Sequence, residues 1–169
     1  MFMRQDRRTE DERFFNPSTV DTDLDAGSPA IHDNGLIDRL KSDHAELLDR
    51  LHDIDDQCMR NQFVGIPGQL AAFLDCLQAH LQEENTKLYA PLHARHASDP
   101  ADVAVLAHEE SRMAGIARMV LIFVKRYIES GVHAGNRDAF ARDLEVIESL
   151  LADRIDTEES TLYPLYRAE

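Results

Sequence analysis

Four stretches of this chain place apolar residues at alternating three- and four-residue steps, and that spacing most constrains what it can fold into. Residues three and four apart share one face of an α-helix, so each stretch carries a single stripe that must be buried. The first runs from Leu36 through Ile37, Leu40, Leu47, Leu48, Leu51 and Ile54, with Asn34 placed to cap it. A break at Asn61–Gly68, holding Gly65, Pro67 and Gly68, precedes a second stripe of Leu70, Phe73, Leu77 and Leu88. Pro91 is expected to close or kink this helix. The third helix spans about Asp102 to Ser130, with Val105, Ile116, Met119, Val120 and Phe123 on or beside one face, and Gly131 and Gly135 end it. The fourth covers roughly Arg137 to Tyr163 through Phe140, Leu144, Ile147, Leu151 and Leu162. Four such helices joined by short loops predict an all-α, up-down-up-down four-helix bundle.

A chain of 169 residues suits one domain, read as a bundle over residues 31–169 behind an N-terminal extension over residues 1–30. That extension has no sustained apolar period and reads as a tail or lid that Phe2, Phe14 and Phe15 could pin to the body. The net charge of −14 weighs against nucleic acid or an anionic membrane as partner. The one basic cluster, Arg4, Arg7 and Arg8, is followed at once by Glu10, Asp11 and Glu12. Cys58 and Cys76 lack metal-type spacing and are read as reduced thiols. No segment approaches the roughly 20 apolar residues of a membrane span, and none reads as a signal peptide, so a cytoplasmic protein is expected.

The informative residues are polar ones inside the apolar stripes. His44 stands on the first, His80 and Glu84 on the second, His108 on the third, and Arg154 and Glu158 on the fourth. A pair four apart lies one turn up the same face, so His80 and Glu84 can aim at one point, and Arg154 and Glu158 repeat that geometry. The segments HLQEENTKLYAPL and RIDTEESTLYPLY superpose Glu84 on Glu158, Leu88 on Leu162 and Tyr89 on Tyr163, but His80 falls on Arg154. Buried imidazoles and carboxylates cost several kcal/mol each unless paired, hydrogen-bonded or metal-bound. A metal ion accounts for such a cluster economically, because it offsets carboxylate charge and takes neutral imidazole nitrogens as ligands. The candidate ligands are His44, His80, Glu84, His108 and Glu158. His52, His93, His96 and His133 lie near helix ends or in loops and are read as exposed, while Tyr89 and Tyr163 are expected to pack beside the site.

In this order the motifs DHAELL, HLQEENTKLYAP, HEE and RIDTEESTLYP resemble the hemerythrin-like family, whose domains are named for a histidine, histidine, glutamate cation-binding pattern. The match covers about residues 34–166. The resemblance implies a pair of non-haem irons bridged by Glu84 and Glu158, with His44 and His80 serving one ion, His108 the other, and an open position for dioxygen, nitric oxide or peroxide. Arg154 departs from the pattern, since the fourth helix carries a histidine there in the family. A further histidine of the oxygen-carrying members would fall at Arg112. A guanidinium stays protonated and offers only donors, so it is no ligand. It can pair with Glu158 or Glu84 and stand in for one metal charge, leaving a mononuclear or empty site. A slight rotation of the fourth helix would instead put Arg154 on the surface.

The leading expectation is therefore a non-haem iron protein that binds or senses dioxygen, nitric oxide or iron. The alternative is a metal-free bundle serving as a protein interaction module. An enzyme is not expected: the Glu-x-x-His pairs of ferritin-like oxidases are missing, and no nucleophile stands beside a base in sequence. The consecutive apolar residues Val120, Leu121, Ile122, with Val124, leave room for a homodimer.

Overall fold

The computed structural model describes Asp33 and residues 35–167; the extension over residues 1–30, with Phe2, Phe14 and Phe15, and the Asn34 cap lie outside the described residues. Helix α1 runs over Leu36–Met59 and is followed by a single 3₁₀ turn at Phe63–Gly65. Helix α2 (Ile66–Glu83) continues through a π-helical turn at Glu84–Tyr89 into α3 (Ala90–His96). Helix α4 spans Pro100–Ser130. Helix α5 (Arg137–Thr157) continues through a second π-helical turn at Glu158–Leu162 into α6 (Tyr163–Arg167). These form four rods: α1 and α4 each pack against both α2 and α5, which closes the square of a four-helix bundle. No strand occurs among the described residues, and no helix among them is long and apolar enough to cross a membrane.

Local chemistry sets the ends of the long third rod. Asp99 precedes Pro100 and accepts hydrogen bonds from the Ala101 N–H (2.8 Å) and the Asp102 N–H (3.4 Å), answering donors that a helix start leaves free. Gly131 stops α4 with φ 67°, a left-handed backbone that glycine adopts without penalty. Pro91 does not close the second rod. It sits in the first turn of α3, directly after the π-helical turn, and the rod runs on to His96.

The π-helical turns follow from the spacing of buried residues. Leu70, Phe73, Leu77, His80 and Glu84 alternate steps of three and four, but Leu88 and Leu92 then come at four and four. On the fourth rod Leu144, Ile147, Leu151, Arg154 and Glu158 alternate likewise, and Leu162 and Tyr166 again come at four and four. Each rod thus holds one residue more than the α-helical rhythm, and one wide i→i+5 turn absorbs it just after the glutamate. Hydroxyls at equivalent places pin both turns: Thr86 Oγ1 donates to the Gln82 and Glu83 carbonyls (2.8 and 3.3 Å), and Ser160 Oγ donates to the Thr157 carbonyl (3.4 Å).

The interior is layered. A large apolar cluster, centred on Leu51, Ile54, Phe73, Val120, Phe140 and Leu144, fills one part of the bundle. A smaller one at the other end joins Leu40, Leu88, Leu92, Leu106, Leu162 and Tyr166. Every rod passes from one cluster to the other through its buried polar residues, so these form a slab between the two. Of the four apolar residues considered for a dimer face, Val120 and Val124 are core, Leu121 is half-buried and Ile122 is exposed. Both cysteines are free, Cys58 buried and Cys76 half-buried.

Candidate metal centre

Six polar side chains are buried among the described residues: His44, His80, Glu84, Glu109, Arg154 and Glu158. His44 comes from α1, His80 from the last turn of α2, and Glu84 and Glu158 open the two π-helical turns. Donor atoms of His44, His80, Glu84 and Glu158 all lie within 4.8 Å of one another. His44 Nε2 is 3.1 Å from Glu158 Oε2, and His80 Nε2 is 3.7 Å from Glu84 Oε2. The Nδ1 atoms face outward to two further carboxylates, Glu159 Oε1 at 3.1 Å from His44 and Asp43 Oδ2 at 3.4 Å from His80. A carboxylate behind an imidazole fixes the tautomer and turns the other nitrogen toward a metal. Lys41 holds Glu159 in turn, at 2.7 Å.

Of the five candidate ligands, His108 stands apart: it is exposed on α4, and its neighbour Glu109 is buried in its stead. The buried residues Leu106, Glu109, Met113, Ile116, Val120, Phe123 and Tyr127 keep an unbroken three-four rhythm. Counted back from Tyr127, that rhythm reaches Glu109, and one residue of shift turns a helical side chain by about 100°. Val105 and Met119, placed beside the inner face from the sequence, are likewise exposed. His93 and His96 also differ from expectation. They lie on α3, half-buried, with His93 Nε2 at 3.1 Å from Glu110 and His96 Nδ1 at 2.6 Å from Asp102.

Arg154 is 1% exposed, which rules out the surface placement. Its Nη2 contacts Glu158 Oε1 and donates to Tyr89 Oη at 2.5 Å, and its Nη1 lies 3.6 Å from Glu109 Oε2. Arg112, at the rim, donates to the same Glu109 oxygen (3.2 Å) and to Thr157 Oγ1 (3.4 Å). Burial opposes the Arg154 charge, but Glu158, Tyr89 and Glu84 outweigh it and raise its pKa above the ordinary guanidinium value. Tyr163, the counterpart of Tyr89, lies with its hydroxyl 3.3 Å from His44 Nε2 and its ring nearly parallel to the imidazole, at an interplanar angle of 7°.

Two buried groups of the cluster are shifted, and both shifts favour the neutral form, so a metal would have to displace a proton from Glu84 but not from His80. Burial, and then the adjacent Glu158 charge, hold the Glu84 carboxyl well above the usual carboxylate range. Burial and the neighbouring His44 push the His80 pKa down, keeping the neutral imidazole that a metal takes. Glu84 Oε1 is buried and accepts no hydrogen bond, an acceptor that a cation among these donors would answer. The donors, with Leu47, Leu77, Leu81, Met113, Leu151 and others, border a space of about 10 Å³, roughly the room one water molecule takes. Two imidazoles and two carboxylates around so small a space fit a single divalent first-row metal ion.

The fold, the four rods and their donors agree with the comparison by family. The model of the hemerythrin HHE cation binding domain matches residues 35–166, most of the chain. No curated protein and no solved structure matches. Matched over that length and folded as a four-rod bundle around a buried histidine–glutamate cluster, the chain belongs to the hemerythrin HHE cation-binding family.

Proposed function

We propose that this protein binds one non-haem iron ion through His44, His80, Glu84 and Glu158, that Arg154 takes the place of a second ion, and that the bound iron receives dioxygen or nitric oxide. The observation that carries this reading is a fixed cation buried among carboxylates right beside a compact set of four donor atoms. Arg154, standing where the family pattern has a histidine, brings permanently the positive charge that a second ion would bring, and it engages Glu158 and, on the α4 side, Glu109. Bound iron would supply a redox-active Lewis acid able to accept a small uncharged ligand. The chain's part is to present the two Nε2 atoms, backed by Glu159 and Asp43, and to keep bulk water out with Leu47, Leu77, Leu81, Met113 and Leu151. No general acid or nucleophile stands free beside these donors among the described residues, so reversible binding is a better reading than catalysis.

The test is iron per chain after reconstitution without oxygen. About one iron is expected in the native protein, rising toward two in Arg154→His. Two irons in the native protein would overturn the role given to Arg154. No iron, together with a melting temperature indifferent to chelator, would favour the metal-free interaction module instead.

A further inference from the structure

Tyr163 is buried, and among the described residues its hydroxyl has one hydrogen-bond partner, His44 Nε2 at 3.3 Å. That nitrogen is also 3.1 Å from Glu158 Oε2 and is the atom His44 turns toward the cluster. An ion that takes Nε2 therefore removes the partner of the Tyr163 hydroxyl. A buried hydroxyl left unpaired is costly, and a cation held at that nitrogen is a group able to answer the oxygen.

The paired segment on the second rod shows the same relation with a different cation. Tyr89 corresponds to Tyr163 in the two LY motifs, and its oxygen accepts a hydrogen bond from Arg154 Nη2 at 2.5 Å. In one half of the bundle, then, the phenol oxygen faces a guanidinium. In the other it faces the place where His44 and Glu158 would hold a metal.

Arg154 is held by Glu158 and, at longer range, by Glu109, which Arg112 also engages. A cation beside the Tyr163 oxygen would be the largest local charge and would favour the phenolate there.

Building on the iron site proposed above, we propose that Tyr163 is a fifth protein ligand, its phenol oxygen holding the ion that takes His44 Nε2. On binding, the Tyr163 O–H bond would break, the proton would leave to solvent, and the phenol oxygen would hold the ion.

The experiment is to load the full chain with ferrous iron without oxygen, count iron per chain, oxidise with ferricyanide, and record visible absorption and resonance Raman spectra. The native ferric protein is expected to show a phenolate-to-iron charge-transfer band, with tyrosine ring vibrations enhanced on excitation within it. The iron that Tyr163→Phe retains should lack the band entirely, and iron in Tyr89→Phe should keep it. Bound iron without phenolate vibrations in the native protein, or a band that survives Tyr163→Phe, overturns the assignment and leaves the iron site standing. Failure of the native chain to take up iron overturns both. The Raman signature of the native protein decides the matter even where a variant folds poorly.

Discussion

Arg154 is among the largest fully buried side chains in the bundle, and its whole hydrogen-bonding head lies in the polar slab. Removing one member of a buried ion pair leaves the others uncompensated, at a cost of about 3–5 kcal/mol. Arg154→Met in chelated protein should lose about that much stability to denaturant, since Glu158 and Glu109 would both lose a counter-ion. Glu84 makes a prediction of its own sign. Burial and Glu158 raise its folded pKa above 4.5, so across the window from there upward the native state holds a proton that the unfolded chain has released. Metal-free stability should therefore fall as pH rises through that window, while metal uptake should expel the proton and strengthen with pH. Chemical denaturation with chelator, and calorimetry in buffers of different ionisation enthalpy, check the two halves. At this scale Arg154, His80, Glu84 and Glu158 were visible in the sequence, because the two LY segments align them. Glu159 and Asp43 were not, because each meets its histidine from another rod and no spacing along the chain records that. The pairing of Glu109 with Arg154 was hidden for the same reason, although its inward direction was there to be counted back from Tyr127.

The π-helical turns are the elements on which the site depends. Each begins at a glutamate of the cluster, so the wide turn both absorbs the extra residue and sets the direction of that carboxylate. Deleting exposed Asn85 should restore the three-four rhythm, since Leu88 would then follow Glu84 by three, and leave the rest of the rod in register. The expected result is iron uptake reduced at least severalfold while helix content persists and chelated stability moves within the ordinary range of about 0.5–3 kcal/mol. Circular dichroism, denaturation and metal analysis on one preparation would show it. The apolar periodicity predicted the four rods well because tertiary burial enforces it along each one. It misplaced the end of the second rod because Pro91 falls in the first turn of α3, where its missing N–H is tolerated. It misphased the third because Val105 and His108 mimic a stripe one residue away from the buried one.

Over the whole molecule, the polar slab divides a large apolar cluster from a small one. Phe73 lies in the large cluster, and Phe73→Ala should cost about 3–5 kcal/mol by leaving a cavity. Iron per chain at saturation should stay at the native value in that variant below its melting temperature, because Phe73 does not border the space among the donors. The chain as a whole carries a net charge of −14, and the buried slab sets the carboxylates of Glu84, Glu109 and Glu158 against the single guanidinium of Arg154. The layered interior also bears on cooperativity. Among the described residues the two apolar clusters are separate, with the ion pairs and hydrogen bonds of the slab between them, so the slab is the joint that decides whether they melt together. Loaded with metal, the joint is stiff and the bundle should unfold in a single calorimetric transition. Stripped of metal, the end held by Leu40, Leu92 and Tyr166 is free to melt first, and the same chain behaves as two cooperative units in series.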